Sequence, residues 1–266
     1  MSDSEIVSTL SRLLDDGKAA VLCTLIEKEG SGPRGLGAKM LIDPEGNIVG
    51  SIGGGSMERR LLEEAAEVLR IGQPRTLTFA LGIEAIENAI SVDSKCGGVV
   101  KVYMDVFKPP PRLIIFGSGH IAKPLADLAG RTGFEIVVVD DAETATKDRF
   151  PMAKEIRNGP FSEEVGLLKI RSSDYVAIVH GEVDYELEAL RAALRSRAAY
   201  IGLLGSVNKA DKHRKKLLEE GFSMEGVESI CAPIGLPIGA ETPEEIAVSI
   251  VAELIKKRRS GSRRGA

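Results

Sequence analysis

The sequence predicts an α/β protein: a parallel sheet with helices on both faces in the C-terminal half, and a mixed, strand-rich α+β domain in the N-terminal half. From Arg112 onward, apolar strands alternate with helical segments, the order that builds a parallel sheet. Before it, short strands are strung between glycine-rich loops. Between the halves stands Pro109-Pro110-Pro111, a stiff run that donates no backbone hydrogen bond and suits a connector.

A length of 266 residues accommodates two such domains. The boundaries read from the sequence are 1–108 for the first domain, 109–111 for the linker, 112–257 for the second and 258–266 for a flexible basic tail. In order, Ile6, Leu10, Leu13 and Leu14 predict a short helix ended by Asp16-Gly17. Strands follow over 19–26, 38–42 and 47–52, the last two joined by the turn residues Asp43-Pro44-Glu45-Gly46. A helix over 57–71 and strands over 75–80 and 99–107 complete this domain. In the second, strands are predicted over 112–116, 135–140, 175–179 and 200–204, with helices over 121–132, 185–196, 209–220 and 243–257. Thr242 as N-cap, Pro243 at the first position and Glu244-Glu245 in the first turn mark the last helix clearly.

Composition excludes several classes of function. Hydrophobic residues at 43% and charged residues at 28% are ordinary for a globular chain. A net charge of −4 with dispersed basic residues argues against nucleic acid as a partner. The absence of a long apolar run and the polar Met1–Glu5 start predict a cytoplasmic protein without membrane association. Cys23, Cys96 and Cys231 are too scattered for a disulfide framework or a local zinc site.

The strand Leu113–Phe116 runs directly into Gly117-Ser118-Gly119-His120-Ile121-Ala122, and a helix follows at once. Gly117 permits the tight turn, Gly119 lets a phosphate approach the backbone, and Ala122 stands where helix and strand pack closely. This is a Rossmann-like phosphate loop, with free N–H groups at a helix mouth. Asp140, at the end of the next strand, is placed to accept from a ribose diol. His120 could donate to a ligand phosphate or carbonyl, and an exposed cap residue is the equal alternative.

Two further loops crowd glycines into the first domain. Gly30-Ser31-Gly32-Pro33-Arg34-Gly35-Leu36-Gly37 offers backbone donors and one cation, Arg34, between two strands. Gly53-Gly54-Gly55-Ser56-Met57-Glu58 joins a strand to a helix, a phosphate-cradling geometry with Ser56 near the N-cap and Glu58 in the first turn. Cys96-Gly97-Gly98 sets a thiol at the mouth of a strand, where a small buried residue is the default and a soft-metal or sulfur contact the alternative.

Taken together, G-S-G-P-R-G-L-G, G-S-I-G-G-G-S-M-E, C-G-G, F-G-S-G-H-I-A, Y-I-G-L-L-G-S and P-I-G-L-P-I-G-A-E-T-P-E-E resemble the XdhC/CoxI family over roughly residues 20–257. The resemblance implies an N-terminal XdhC domain, a C-terminal Rossmann domain, and a non-catalytic accessory protein. Such a protein binds the molybdenum cofactor, supports its sulfuration with a cysteine desulfurase, and passes it to a molybdenum hydroxylase apoenzyme such as xanthine dehydrogenase; a homodimer is expected. Gly205 and Ser206 join the expected binding set on this ground. Two departures stand out. Ser56 occupies a place where family members often have cysteine, leaving Cys96 as the candidate molybdenum or sulfur contact. Val207-Asn208 separate Ser206 from Lys209, where a basic residue commonly follows at once.

The expected ligand is phosphate-bearing, its anionic groups met by the glycine loops, Arg34 and the helix mouth at Gly119. The rivals are an NAD-dependent oxidoreductase, or a module sensing NAD or another adenine nucleotide. The oxidoreductase lacks a convincing proton donor, since His180 merely follows a strand and His213 is expected to face solvent on a basic helix.

Overall fold

The computed structural model describes residues 2–84 and 86–262. The chain forms two compact units, one built from residues up to Pro109 and the other from Pro110 to Gly261.

In the first unit, α1 (Asp3–Asp15) is followed by β1 (Ala20–Gly30), β2 (Lys39–Ile42), β3 (Ile48–Gly50), α2 (Gly55–Ile71), β4 (Arg75–Leu81), β5 (Ile90–Val92) and β6 (Gly98–Phe107). These strands make one mixed sheet in the order β3-β2-β1-β6-β4-β5. Alternation along β1 and β6 sends Val21, Cys23, Leu25, Val100, Val102 and Met104 to one face. There Met57, Leu61, Ala65 and Val68, spaced for one stripe of a helix, seat α2. Ile6 and Leu13 of α1 cover Ala20 and Leu41 on the other. Sequence reasoning misses β5, a three-residue strand parallel to β4. It also ends β1 too early, because the exposed polar stretch Glu27–Gly30 shows no apolar pattern yet pairs with Val99–Lys101 and Gly98.

The second unit runs β7 (Arg112–Phe116), α3 (Ala122–Arg131), β8 (Glu135–Val139), β9 (Ala153–Arg157), α4 (Phe161–Leu167), β10 (Tyr175–Ile178), α5 (Val183–Ser196), β11 (Tyr200–Leu203), α6 (Val207–Glu219), α7 (Met224–Glu228), β12 (Ile230–Cys231) and α8 (Pro243–Ser262). Every pairing in its sheet is parallel, in the order β9-β8-β7-β10-β11-β12. Helices α3 and α8 cover one face and α4 to α7 the other. This is the Rossmann order, in which β7 and β10 lead off in opposite directions and open a crevice beyond their carboxyl ends.

The tail expected from residue 258 is helical through Ser262, as α8 runs on. Its Arg258 donates to the Thr132 carbonyl at 3.0 Å and lies 4.9 Å from the Phe134 ring centroid, so its cation is docked on the fold. Arg263 and Arg264 lie outside the described residues. Among the described residues, no helix is long and apolar enough to cross a membrane.

Candidate functional site

The glycine-rich segments of the first unit converge. A side chain on Gly53 (φ +149°) would strike the Pro33 ring, and one on Gly98 would strike the Ser31 and Glu29 carbonyls, so only glycine lets these three segments meet. Pro33, Gly53, Gly54, Gly55, Ser56 and Cys96 together line a cavity of about 170 Å³. Arg34 is not in this lining: its side chain is exposed, and its carbonyl accepts from Lys28 Nζ at 3.3 Å. Gly97 (φ +55°) is an exposed turn residue beside Cys96.

Two of the three triple-glycine amides, expected to be bared toward a ligand, are not; among the described residues only the Gly55 N–H of the three lacks an acceptor. Glu58 Oε1 accepts from the N–H groups of Gly54 (2.8 Å), Ile52 (3.1 Å) and Gly53 (3.2 Å) and from the Ser51 hydroxyl (2.7 Å). The anion for this nest is therefore internal, a carboxylate reaching back over its own helix start in the manner of a capping box. Partial burial works to raise the Glu58 pKa, but the Ser51 hydroxyl and the three amides outweigh it and hold the carboxyl below its usual value. Ser56 is not the cap, since α2 begins at Gly55 with Gly54 as N-cap; its hydroxyl donates to the Asp93 carbonyl at 2.8 Å. In the core, burial and then the Glu58 charge push the Cys23 thiol up to about 12, which makes it inert. Cys96 is half-buried, with its N–H on Ser94 Oγ at 3.1 Å.

In the second unit, Gly117 (φ +112°) sits where an added Cβ would come within 3.1 Å of the Val179 and His180 backbone, so the turn into the phosphate loop passes close under the end of β10. Ser118 is fully buried; its N–H and hydroxyl both donate to Asp140 Oδ2, at 2.6 and 2.7 Å, and its hydroxyl also meets Thr144 Oγ1. Asp140 Oδ1 accepts from the Ala142 N–H at 3.2 Å and faces His180 Nε2 at 3.5 Å. With 4% of its surface exposed, Asp140 braces the loop instead of waiting for a ribose diol. Burial works to raise its pKa, and the Ser118 hydroxyl, the Ala142 and Ser118 amides and His180 together bring it below the usual value.

Gly119 and His120 remain exposed at the mouth of α3, and among the described residues nothing accepts from their N–H groups. Arg149 approaches from the β8–β9 connection, its Nη2 donating to the Gly119 carbonyl at 3.3 Å. Sequence reasoning misses both Thr144 and Arg149. They lie in an irregular polar stretch after β8, where no spacing rule assigns a direction.

Asp140, Asp141 and His180 place potential metal ligands within 4.8 Å of one another. The donors are already spent. His180 Nδ1 accepts from the Glu182 N–H at 3.0 Å, which puts the ring proton on Nε2, whereas a ring binding metal through Nε2 donates from Nδ1. Asp141 Oδ2 accepts from the Tyr185 hydroxyl at 2.6 Å, and Tyr185 stacks on Phe161 with centroids 4.3 Å apart. The Asp141 bond, burial and neighbouring carboxylates raise the Tyr185 pKa to about 12, so it stays a donor at neutral pH.

At the end of β11, Ser206 caps α6 by accepting from the Lys209 N–H at 3.3 Å, while the Lys209 side chain packs on Gly205. The Lys209 ammonium is paired with the fully buried Glu186. His213 shares that carboxylate through Nε2 at 2.9 Å and is only 4% exposed, so the expected solvent-facing role is wrong. Glu186, in the first turn of α5, thereby ties the start of α5 to α6. Glu186→Gln keeps the shape but removes the charge; we expect a loss of about 1–2 kcal/mol in thermal unfolding, with the fold retained. An unchanged midpoint would show that this triad does not hold the two helices together.

The family model described as the XdhC Rossmann domain matches residues 113–254, and that of the XdhC and CoxI family matches residues 13–80. The chain belongs to the XdhC and CoxI family. The XdhC Rossmann match takes in every strand of the parallel sheet from Leu113 on, and with it the loop braced by Asp140. Among relatives, YqeB of Escherichia coli is 34% identical over 253 residues, which is 94% of this chain but 46% of YqeB, so the chain spans about half of that protein. A probable xanthine dehydrogenase subunit from Bacillus subtilis is 25% identical, with 94% and 96% of the two chains covered. The molybdenum cofactor insertion chaperone PaoD of Escherichia coli is also 25% identical, with 92% and 85% covered. A solved structure described as a xanthine dehydrogenase from Bacillus halodurans matches 100% of this chain and 98% of its own, at 27% identity and a TM-score of 0.54.

Proposed function

We propose that this XdhC and CoxI family member carries the molybdenum cofactor as cargo in the cytoplasm. In this reading it supports sulfuration of that cargo with a cysteine desulfurase and delivers it to the apoenzyme of a molybdenum hydroxylase such as xanthine dehydrogenase. The names of PaoD and of the Bacillus subtilis relative point in this direction.

The observation that carries the reading is the selective opening of the phosphate loop. Its Ser118 amide is spent on Asp140, while the Gly119 and His120 amides stand free at the start of a ten-residue helix with Arg149 beside them. A phosphate there gains the backbone donors, the positive end of the helix dipole and a nearby guanidinium. The half-buried Cys96 is the thiol assigned to sulfur contact, with Pro33, Gly53, Gly54, Gly55 and Ser56 shaping its cavity. Because Glu58 already fills the neighbouring amide nest, no second phosphate is assigned to it. The dehydrogenase alternative needs a carboxylate open to a ribose diol, and Asp140 is closed.

Gel filtration of the protein mixed separately with molybdenum cofactor and with NAD(H) tests the assignment. Stoichiometric retention of the first and loss of the second are expected. Arg149→Ala should weaken cofactor binding about tenfold, or roughly 1.4 kcal/mol. Retention of NAD with reduction by any alcohol or acid would replace this reading with the dehydrogenase.

A further inference from the structure

The two edges of the parallel sheet differ in what they expose. The carboxyl edge carries the phosphate loop and, beside α8, a cleft lined by Leu204, Gly205 and the loop 233–240. At the amino edge, where α5 ends ahead of β11, two further clefts meet. One, of about 760 Å³, runs between α4 and α5 over an apolar floor of Val165, Leu168, Ile170 and Ala192. The other, of about 410 Å³, lies between the end of α5 and α7, with Leu194 and Ile201 in its lining. Ser196 lines the first and Arg197 the second, so consecutive residues form the ridge between them.

This ridge and its rim are cationic, in a chain of net charge −4. Arg191 is spent, donating to the two carboxylate oxygens of Glu220 at 2.7 Å each. Lys169, Arg195 and Arg197 are exposed, and among the described residues no side-chain hydrogen bond or ion pair engages any of the three. Arg195 meets only a ring, its guanidinium carbon 6.0 Å from the Phe222 centroid. Of the acids in the two linings, Glu188 already accepts from the Ser162 hydroxyl at 2.8 Å, which leaves Glu225 against three cations.

Two residues have no sufficient reason within the fold. Arg197 ends α5 in the left-handed conformation (φ +53°, ψ +46°), where glycine is the usual choice because a Cβ is strained there. A cation at a helix C-terminus offsets part of that strain, but Arg195 in the last turn already supplies one. A long cationic side chain is thus held where the backbone resists it, with no acceptor in the chain to meet it. Gly166, in the last turn of α4, is the reverse case. It has no left-handed angle to justify it, a Cβ there would meet nothing within 4 Å, and glycine weakens a helix relative to alanine. Its bareness keeps the wall of the larger cleft open to the approach of another backbone. Next to it, Leu167 leaves an apolar side chain 69% exposed.

We infer that the amino edge of this sheet docks an acidic segment of a partner protein, with aliphatic side chains on the cleft floors and carboxylates on Lys169, Arg195 and Arg197. Charge complementarity selects this occupant, since unpaired cations set around apolar floors match carboxylates and aliphatic groups carried together on one chain. Helix α5 starts at the carboxyl edge and ends at the amino edge, so a partner seated at its end leaves the mouth of α3 open. The inference does not depend on the phosphate placement.

The test uses the whole protein and two labelled synthetic peptides of equal length. One carries leucines at helical spacing with glutamates between them, and the other has every glutamate replaced by glutamine. Saturable binding of the glutamate peptide is expected, about tenfold tighter than that of the glutamine peptide and weakened by added salt. Arg195→Glu combined with Arg197→Glu should weaken it by about tenfold or more. Arg197→Gly separates docking from folding: relief of the left-handed strain should hold or raise the unfolding midpoint while peptide affinity falls, and Arg197→Lys should keep the affinity. A lowered midpoint with unchanged affinity in Arg197→Gly would make this arginine a structural residue and remove it from the surface. Absence of binding, equal binding of the two peptides, or indifference to the double charge reversal would overturn the inference. A dimer seen by sedimentation and dissolved by the same double substitution would make a second copy the occupant and overturn the assignment to an acidic partner.

Discussion

Replacing Glu58 with alanine should lower the stability of the first unit by about 3 kcal/mol, because three backbone amides and the Ser51 hydroxyl lose their common acceptor at once. Water can reach part of this site, which keeps the loss below the sum of four charged hydrogen bonds. Glu58→Gln retains one carbonyl oxygen and should cost clearly less. Acid titration supplies a second signature. Since the folded carboxyl lies below its ordinary value of 4.5, its contribution is complete above that value and is lost as pH falls through the folded pKa. Unfolding midpoints of the native chain should therefore drop below about pH 4.5 more steeply than those of Glu58→Gln. Equal acid sensitivity in both would mean that the carboxylate does not hold the loop.

Asp140→Ala should cost about 2–3 kcal/mol in the second unit, since it strands the buried Ser118 amide and the Ala142 amide and leaves the Ser118 hydroxyl with Thr144 as its remaining partner. Its functional consequence is separate. Without the brace, the Gly117–His120 turn gains freedom, and amide exchange at Gly119 and His120 should accelerate even at temperatures where the sheet is intact. If Asp140 instead served a ribose diol, its removal would leave exchange in the empty protein unchanged and abolish only nucleotide affinity.

The architecture of the second unit was legible because its signals are local and repeated. Leu113–Phe116, Ile136–Val139 and Tyr200–Leu203 are apolar runs that only a doubly covered parallel sheet buries, and glycines mark the turn out of the first. The elements that escaped are short or weakly patterned. Strand β9 is largely half-exposed at a sheet edge, α4 and α7 are single or double turns, and β12 has two residues.

The candidate site was legible in its glycines and illegible in its carboxylates. Positive backbone angles at Gly53, Gly54, Gly55 and Gly117 follow from residue type, so the bends fall where the glycines do. Which acid would turn inward to fill a bend depends on tertiary distance. Glu58 reads as a first-turn acid and Asp140 as a strand-end acid, Glu186 draws no reading at all, and each proves to be the acceptor that closes a network. His213 was misplaced for the same reason: on a helix otherwise rich in lysine and arginine, the partner that draws it inward lies 27 residues away.

Helix α8 gives a mechanical reference to the cleft that it forms with Leu204, Gly205 and the loop 233–240. Its twenty residues form a rod of roughly 30 Å, with Ile246 and Ser249 forming a wall near one end and Arg258 pinned on Phe134 near the other. Phe134 directly precedes β8, so the rod is anchored on the far side of β7 and β10 from the cleft it borders. Swinging that wall outward would pull the guanidinium off its aromatic seat, and the cleft's width is thereby gauged by a contact made on the far side of two intervening strands.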